Sequence, residues 1–230
     1  TVAAGDLLIR LDGELLRSER SIVESQFFEV LARRGRLEAE RADASEITFP
    51  AELTAAAETD PTVAPLMAGQ RDLFDARRAT VEKTLEQLAQ RRDQTISQIS
   101  GIDAQLAALS TQQTLIAQEL TDQRSLFERG LAQASRVLAL EREAASLAGQ
   151  LGELPAQRAQ QEGRLTEIGI EELRLASQRR EEAESELRNI GYRELELAER
   201  RRALSGQIER LDLRAPFSGI VHAMSVSTPR

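Results

Sequence analysis

The chain has 230 residues, of which 41% are hydrophobic, 30% charged and 3% aromatic, with no Cys and a formal net charge of −8. The missing Cys excludes a disulfide framework, a thiolate nucleophile and a Cys-based metal site. The acidic balance argues against nucleic acid as the main partner, because phosphate binding needs a basic face.

Much Ala, Leu, Glu, Arg and Gln with few aromatics fits long helices better than a globular core. Gly5 to Asp12 reads as a short strand bounded by turn residues, and residues 1–13 are taken as one half of a small β module. The Asp12-Gly13 turn leads into a first helix over 14–42, with Leu15, Leu16, Ile22, Val23, Phe27, Val30, Leu31 and Leu37 at helical spacing. Residues 43–64, with Pro50, Asp60 and Pro61, break the pattern and form a loop with room for a short turn of helix around 51–58.

An outgoing helix is expected over 65–129. From Val81 to Phe127 it keeps alternating steps of four and three, with Arg92, Thr95, Gln113 and Gln123 as polar members that would fix register in a coiled-coil seam. Gly130 sits where a C-cap belongs, the tip spans 130–134, and Ser135 is read as the N-cap of a return helix over 135–211. That helix repeats the spacing from Val137 to Ile168. Its phase shifts between Leu175 and Ala183, and a kink is expected at Pro155. The Arg-Arg runs read as solvated helix faces with i,i+4 partners.

At 1.5 Å per residue the two long helices come to about 95–100 Å and about 110–115 Å, which suits an antiparallel hairpin. Residues 212–230 hold the second strand motif. Neither terminal strand is stable alone, so the two ends are expected to fold together, with the first helix against the base of the hairpin. The fold class is therefore mostly α: a long antiparallel coiled-coil hairpin, an additional shorter helix, and a small split β-sandwich made by the two chain ends.

Gly5-Asp-x-Leu-x-x-Leu11-Asp12 resembles the first half of the split lipoyl domain of HlyD-family membrane fusion proteins. Arg214-Ala215-Pro216-Phe217-Ser218-Gly219-Ile220-Val221 resembles the second half. The stretch Gly130-Leu131 followed by Arg136-Val137-Leu138 is similar to the hairpin turn of the type I secretion branch. The resemblance covers essentially the whole chain. It implies a periplasmic adaptor that links an inner-membrane ABC exporter to a TolC-like outer-membrane channel. Such adaptors self-associate into a ring and seal a conduit for one-step export of a protein substrate.

The resemblance further implies a single-pass inner-membrane protein of which this chain is a periplasmic fragment. No apolar run here nears the roughly 20 residues a bilayer span needs; the chain looks trimmed at both ends, and the fragment alone is expected to be monomeric. No enzyme activity, cofactor or metal is expected. Lys83 is the only Lys and lies far from both strand motifs, so lipoylation is excluded.

Gly5, Asp6, Leu11, Asp12, Arg214, Ala215, Pro216 and Gly219 are then structural residues of the lipoyl-like motif. Channel docking falls to the tip: Arg124, Leu126, Arg129, Gly130, Leu131, Gln133 and Ser135. Leu126 matches the family's Leu, whereas its Ser and Arg positions hold Gln133 and Asp122, with Arg124, Arg129 and Ser135 nearby as substitutes. Phe127 reads equally as part of the docking knob or as the residue that closes the hairpin end. The alternatives are a drug-efflux adaptor of the same superfamily and a coiled-coil scaffold in which the β ends are incidental.

Overall fold

A computed structural model of the chain describes residues 1–222; the rest of the second strand motif, 223–230, lies outside the described residues. The elements are β1 (Leu7–Arg10), α1 (Glu14–Ala42), α2 (Ala51–Thr59), α3 (Val63–Glu128), α4 (Ala134–Glu209) and β2 (Asp212–Arg214). They fall into two units. One is Thr1–Arg77 with the described residues from Gln178 onward, and the other is Arg78–Ser177.

In the first unit the two chain ends meet. β1 and β2 pair antiparallel, with Leu7 opposite Arg214, Ile9 opposite Leu213 and Arg10 opposite Asp212. Two steps along β1 for one along β2 leave Leu8 as the extra residue of a bulge. Beyond the ladder Val2 and Gly219 form an isolated bridge. Among the described residues this joint is one ladder and one bridge, and the scaffold reading, which needs the ends to be incidental, has no place for it.

α1 starts where the Asp12 carboxylate accepts the Glu14 N–H at 3.0 Å, covering one of the orphan donors of a helix start. It stops at Asp43, which takes the left-handed conformation (φ 51°). The Ala44 N–H reaches the Ala39 carbonyl at 2.9 Å and the Asp43 N–H reaches Glu40 at 3.3 Å, the paired bonds of a Schellman stop. The segment then turns back along α1. Phe49 lies so near Gly35 that a Cβ there would stand 2.9 Å from the Phe49 ring. Residues 51–59 of the expected loop are helical, and the Asp60 side chain accepts the Thr62 N–H and hydroxyl at 2.8 and 2.7 Å just before α3.

The core of this unit joins Val23, Phe27, Leu31 and Leu37 of α1 to Leu53 of α2, Val63 and Met67 of α3, and Ala183, Ile190, Leu197 and Leu204 of α4. The amino-terminal half of α1 buries one stripe. Its carboxy-terminal half, from Val30 to Glu40, is buried on nearly every side and includes Arg36 and Glu40. The Arg-rich runs keep exposed faces and the i,i+4 pair Arg34–Glu38 at 3.3 Å, but they also reach across to other elements. Arg33 reaches Glu186 at 2.8 Å, Arg34 reaches Glu194 at 2.5 Å, Arg179 reaches Asp43 at 3.1 Å and Arg200 reaches Glu19 at 2.6 Å, all between helices. Arg201 also lies 4.4 Å over the Phe27 ring. Three-sided packing brings these side chains within reach of neighbouring helices, which an isolated helix would not do.

In the second unit α3 and α4 pack antiparallel. The return stripe of Val137, Leu140, Leu147 and Leu154 is buried, as are Leu88 and Ile116 of the outgoing helix. The polar seam residues do not act as buried locks. Arg92 and Gln113 are exposed, and the buried Thr95 turns its hydroxyl to its own helix, donating to the Arg91 carbonyl at 2.9 Å. Ion pairs across the seam mark the register instead: Asp103 with Arg158 at 2.8 Å, Glu141 with Arg124 at 2.5 Å, and Glu119 with Arg136. α4 is unbroken as helix through Pro155.

Candidate functional sites: the hairpin tip and the joined ends

At the tip α3 closes with a second Schellman stop. Gly130 has φ +72°, its N–H donates to Phe127 at 2.8 Å, and the Leu131 N–H donates to Leu126 at 2.9 Å. A side chain at residue 130 would be strained in that conformation. α4 begins at Ala134, so Ser135 lies inside its first turn and is not the N-cap. The Gln133 carbonyl instead accepts the Arg136 N–H at 3.0 Å, and the Ser135 hydroxyl makes a long 3.5 Å contact to the Gln133 side chain.

The structure divides the tip residues sharply. Arg124 is engaged by Glu141, and Arg129 folds back on the Ser125 carbonyl at 3.2 Å. Leu126 is half-buried, while Gly130, Gln133 and Ser135 are exposed. Leu131 projects furthest, with 72% of its surface open, beside Phe127 at 46% and Leu138 at 55%. The tip therefore presents apolar surface on a rigid turn, and its cations are largely occupied within the hairpin.

At the joined ends most of the motif residues hold the two chain ends together. Gly5, at φ +94°, is bonded twice to the far end: its N–H donates to the Ala215 carbonyl, and its own carbonyl accepts from the Arg214 guanidinium. The Asp6 carboxylate accepts the Ala3 N–H at 2.8 Å, while its backbone carbonyl accepts the Ala215 N–H at 2.8 Å. The Leu11 N–H donates to Leu211 at 2.9 Å, extending the joint toward the helices. Ala215 is buried, Pro216 is exposed, and Gly219 holds the bridge to Val2. Across the ladder Arg10 grips Asp212 with two bonds, at 2.7 and 2.9 Å, and this holds the Asp212 carboxyl below its ordinary range.

Inside the helical bundle of the first unit lies a polar cluster that is not among the sequence-based expectations. Arg36 and Glu40, each with 3% of the side chain exposed, pair at 2.6 Å. The Arg36 Nε donates to Gln70 at 2.8 Å, and Arg77 approaches the other Glu40 oxygen at 3.4 Å. Glu186 stands 3.9 Å from Arg36 and accepts from Arg33, whose hydrogen bond lowers the Glu186 pKa. The available signal was the i,i+4 spacing of Arg36 and Glu40 around Leu37, set in a stretch with apolar residues on every side.

Ends that pair as strands, with a middle that runs out and returns as helix, define the class of hairpin adaptors. A family model described as AprE, long alpha-helical hairpin, matches residues 16–207. The chain belongs to that family, among the HlyD-type membrane fusion proteins. It is 38% identical over 229 residues to the type I secretion system membrane fusion protein PrsE of Rhizobium meliloti (strain 1021), covering 99% of this chain and 52% of that protein. The chain thus spans about half the length of this curated relative. The fold is also that of the soluble domain of LipC, a membrane fusion protein of a type I secretion system. The TM-score is 0.88 at 22% identity, over 94% of this chain and 80% of that one. No helix among the described residues is long and apolar enough to cross a membrane.

Proposed function

We propose that this chain is the periplasmic hairpin of a type I secretion adaptor, which links an ABC exporter in the inner membrane to a TolC-like channel in the outer membrane. The observation that carries this reading is the tip: a Schellman-closed turn that holds Leu131 72% exposed at the end of a two-helix seam. A large apolar side chain held out on a rigid turn is suited to insertion into a partner's pocket. The resemblance to PrsE, whose name states the secretion role, supports the same assignment.

In this reading neighbouring copies assemble around the exporter, and an unfolded protein passes through the enclosed space. The chain supplies contacts and no chemistry of its own. In cells that carry the full-length protein with its exporter and channel, Leu131→Asp abolishes secretion while the purified variant keeps its helical content. Normal secretion by that variant refutes docking through the tip.

A further inference from the structure

Between α1 and α4 in the first unit runs a groove of about 280 Å³ with Val30 and Ile190 as its apolar floor. Its walls carry Gln26, Glu29, Asn189 and Arg193, none of which makes a side-chain hydrogen bond or ion pair among the described residues. The Arg33–Glu186 pair closes one end at 2.8 Å. In the same unit, where α1 salts its charges into cross-helix pairs, four uncommitted polar groups over an apolar floor are an open recognition surface.

The unit also carries the complement. Tyr192 and Leu195 are 82% and 68% exposed on α4. They lie about 200° and 140° round the helix from Ile190, at 100° per residue, and so lie off the groove floor. Arg188 and Glu199 continue the same stripe at either end, both exposed. Groove and ridge thus each offer apolar contact, one acid and one base.

We infer that the ridge Arg188–Tyr192–Leu195–Glu199 of one copy docks into the α1/α4 groove of a second copy of this chain. The inference rests on the ring assembly proposed above and names its contact. Because groove and ridge are different surfaces, the contact is head-to-tail, which leaves one of each free in a dimer and continues into a ring. Two apolar side chains bury far less than a standard interface, so each contact is weak and gains from repetition round the ring.

The Cys-free chain allows a direct test. Gln26→Cys marks the groove and Leu195→Cys the ridge; the two proteins, one carrying a size tag, are mixed at about 1 mM, the concentration a short tether would supply, and oxidised. The mixed groove-to-ridge disulfide is expected to exceed both same-site disulfides several-fold, and Tyr192→Ser in the Leu195→Cys partner should suppress it. Circular dichroism checks that these surface variants keep their helices. Self-association in sedimentation that survives Tyr192→Ser and gives no excess of the mixed disulfide overturns the groove-to-ridge contact and leaves the ring reading standing. A chain that stays monomeric and unlinked at this concentration also overturns the groove-to-ridge contact, while the ring reading, in which the fragment alone is monomeric, stands.

Discussion

Replacing Glu40 by Leu removes the carboxylate that faces Arg36 inside the bundle. Both side chains are 3% exposed and 2.6 Å apart, so the guanidinium that remains has no route to water. Breaking a buried pair from one side costs about 3–5 kcal/mol, because an uncompensated charge is left behind. The Arg36 Nε keeps its bond to Gln70, and Glu186 stays 3.9 Å away, which places this case near the lower end, about 3 kcal/mol. At 1.36 kcal/mol per decade that is roughly a hundred-fold loss of amide protection, expected in the carboxy-terminal half of α1.

Native-state hydrogen exchange is the right assay. The helices of the second unit would dominate a circular dichroism melt and hide a local opening. The double variant Arg36→Met with Glu40→Leu takes both charges away and fills the space with apolar atoms, so it should recover to within about 1 kcal/mol of the parent. A single variant that costs under about 0.5 kcal/mol, or a double that is worse than the single, refutes the reasoning, since either result means the pair is not sealed from solvent.

Glu186 is held below the ordinary carboxylate range chiefly by its hydrogen bond from Arg33. A depressed folded pKa stabilises above the unfolded value, about 4.3, and the benefit is lost as pH falls through the folded one. Protection of the α1 amides, taken relative to the intrinsic exchange rate at each pH, should therefore fall as pH drops below about 4.3, and Glu186→Gln should flatten that dependence. Gly130→Ala forces a Cβ into a φ of +72° and should cost about 1 kcal/mol, read as faster exchange of the Leu131 amide with the core of the first unit unaffected. Gly35→Ala sets a methyl 2.9 Å from the Phe49 ring and 3.3 Å from the Thr48 carbonyl, and should lower stability by about 1–3 kcal/mol with loss of protection at residues 47–53.

The features that could be read from sequence are those set by one neighbour. A two-helix seam leaves a period in the chain, and Val137, Leu140, Leu147 and Leu154 carry it and are buried. Turn chemistry is equally local: Gly130 takes the positive φ that its place after the seam implied. The polar seam positions were legible as positions but not as roles. Whether Thr95 bonds across the seam or back to Arg91 depends on a rotamer, and a Thr hydroxyl within a helix always has its own preceding carbonyl on offer. Of the tip cations, Arg124 was found, yet its partner Glu141 sits on the opposite helix at a distance set by a register that spacing alone does not give.

The bundle of the first unit was hidden for a different reason. Once α1, α2, α3 and α4 share a core, no helix needs a single apolar stripe, so periodicity loses its meaning where packing is densest. α1 from Val30 to Glu40 is buried on most sides and mixes Val, Leu, Ala, Gly, Arg and Glu without a clean stripe. α4 nonetheless records the change. Leu175, Arg179, Ala183 and Leu187 follow one another in steps of four, and each such step advances about 40° beyond a full turn. Three in succession re-aim the stripe by about 120°. After the shift α4 has α1 as a further neighbour, with Arg179 on Asp43 at the end of α1 and Ala183 only 1% exposed. The phase irregularity in the sequence is thus the trace of a third helix joining the seam, and it locates that helix's end to within a turn.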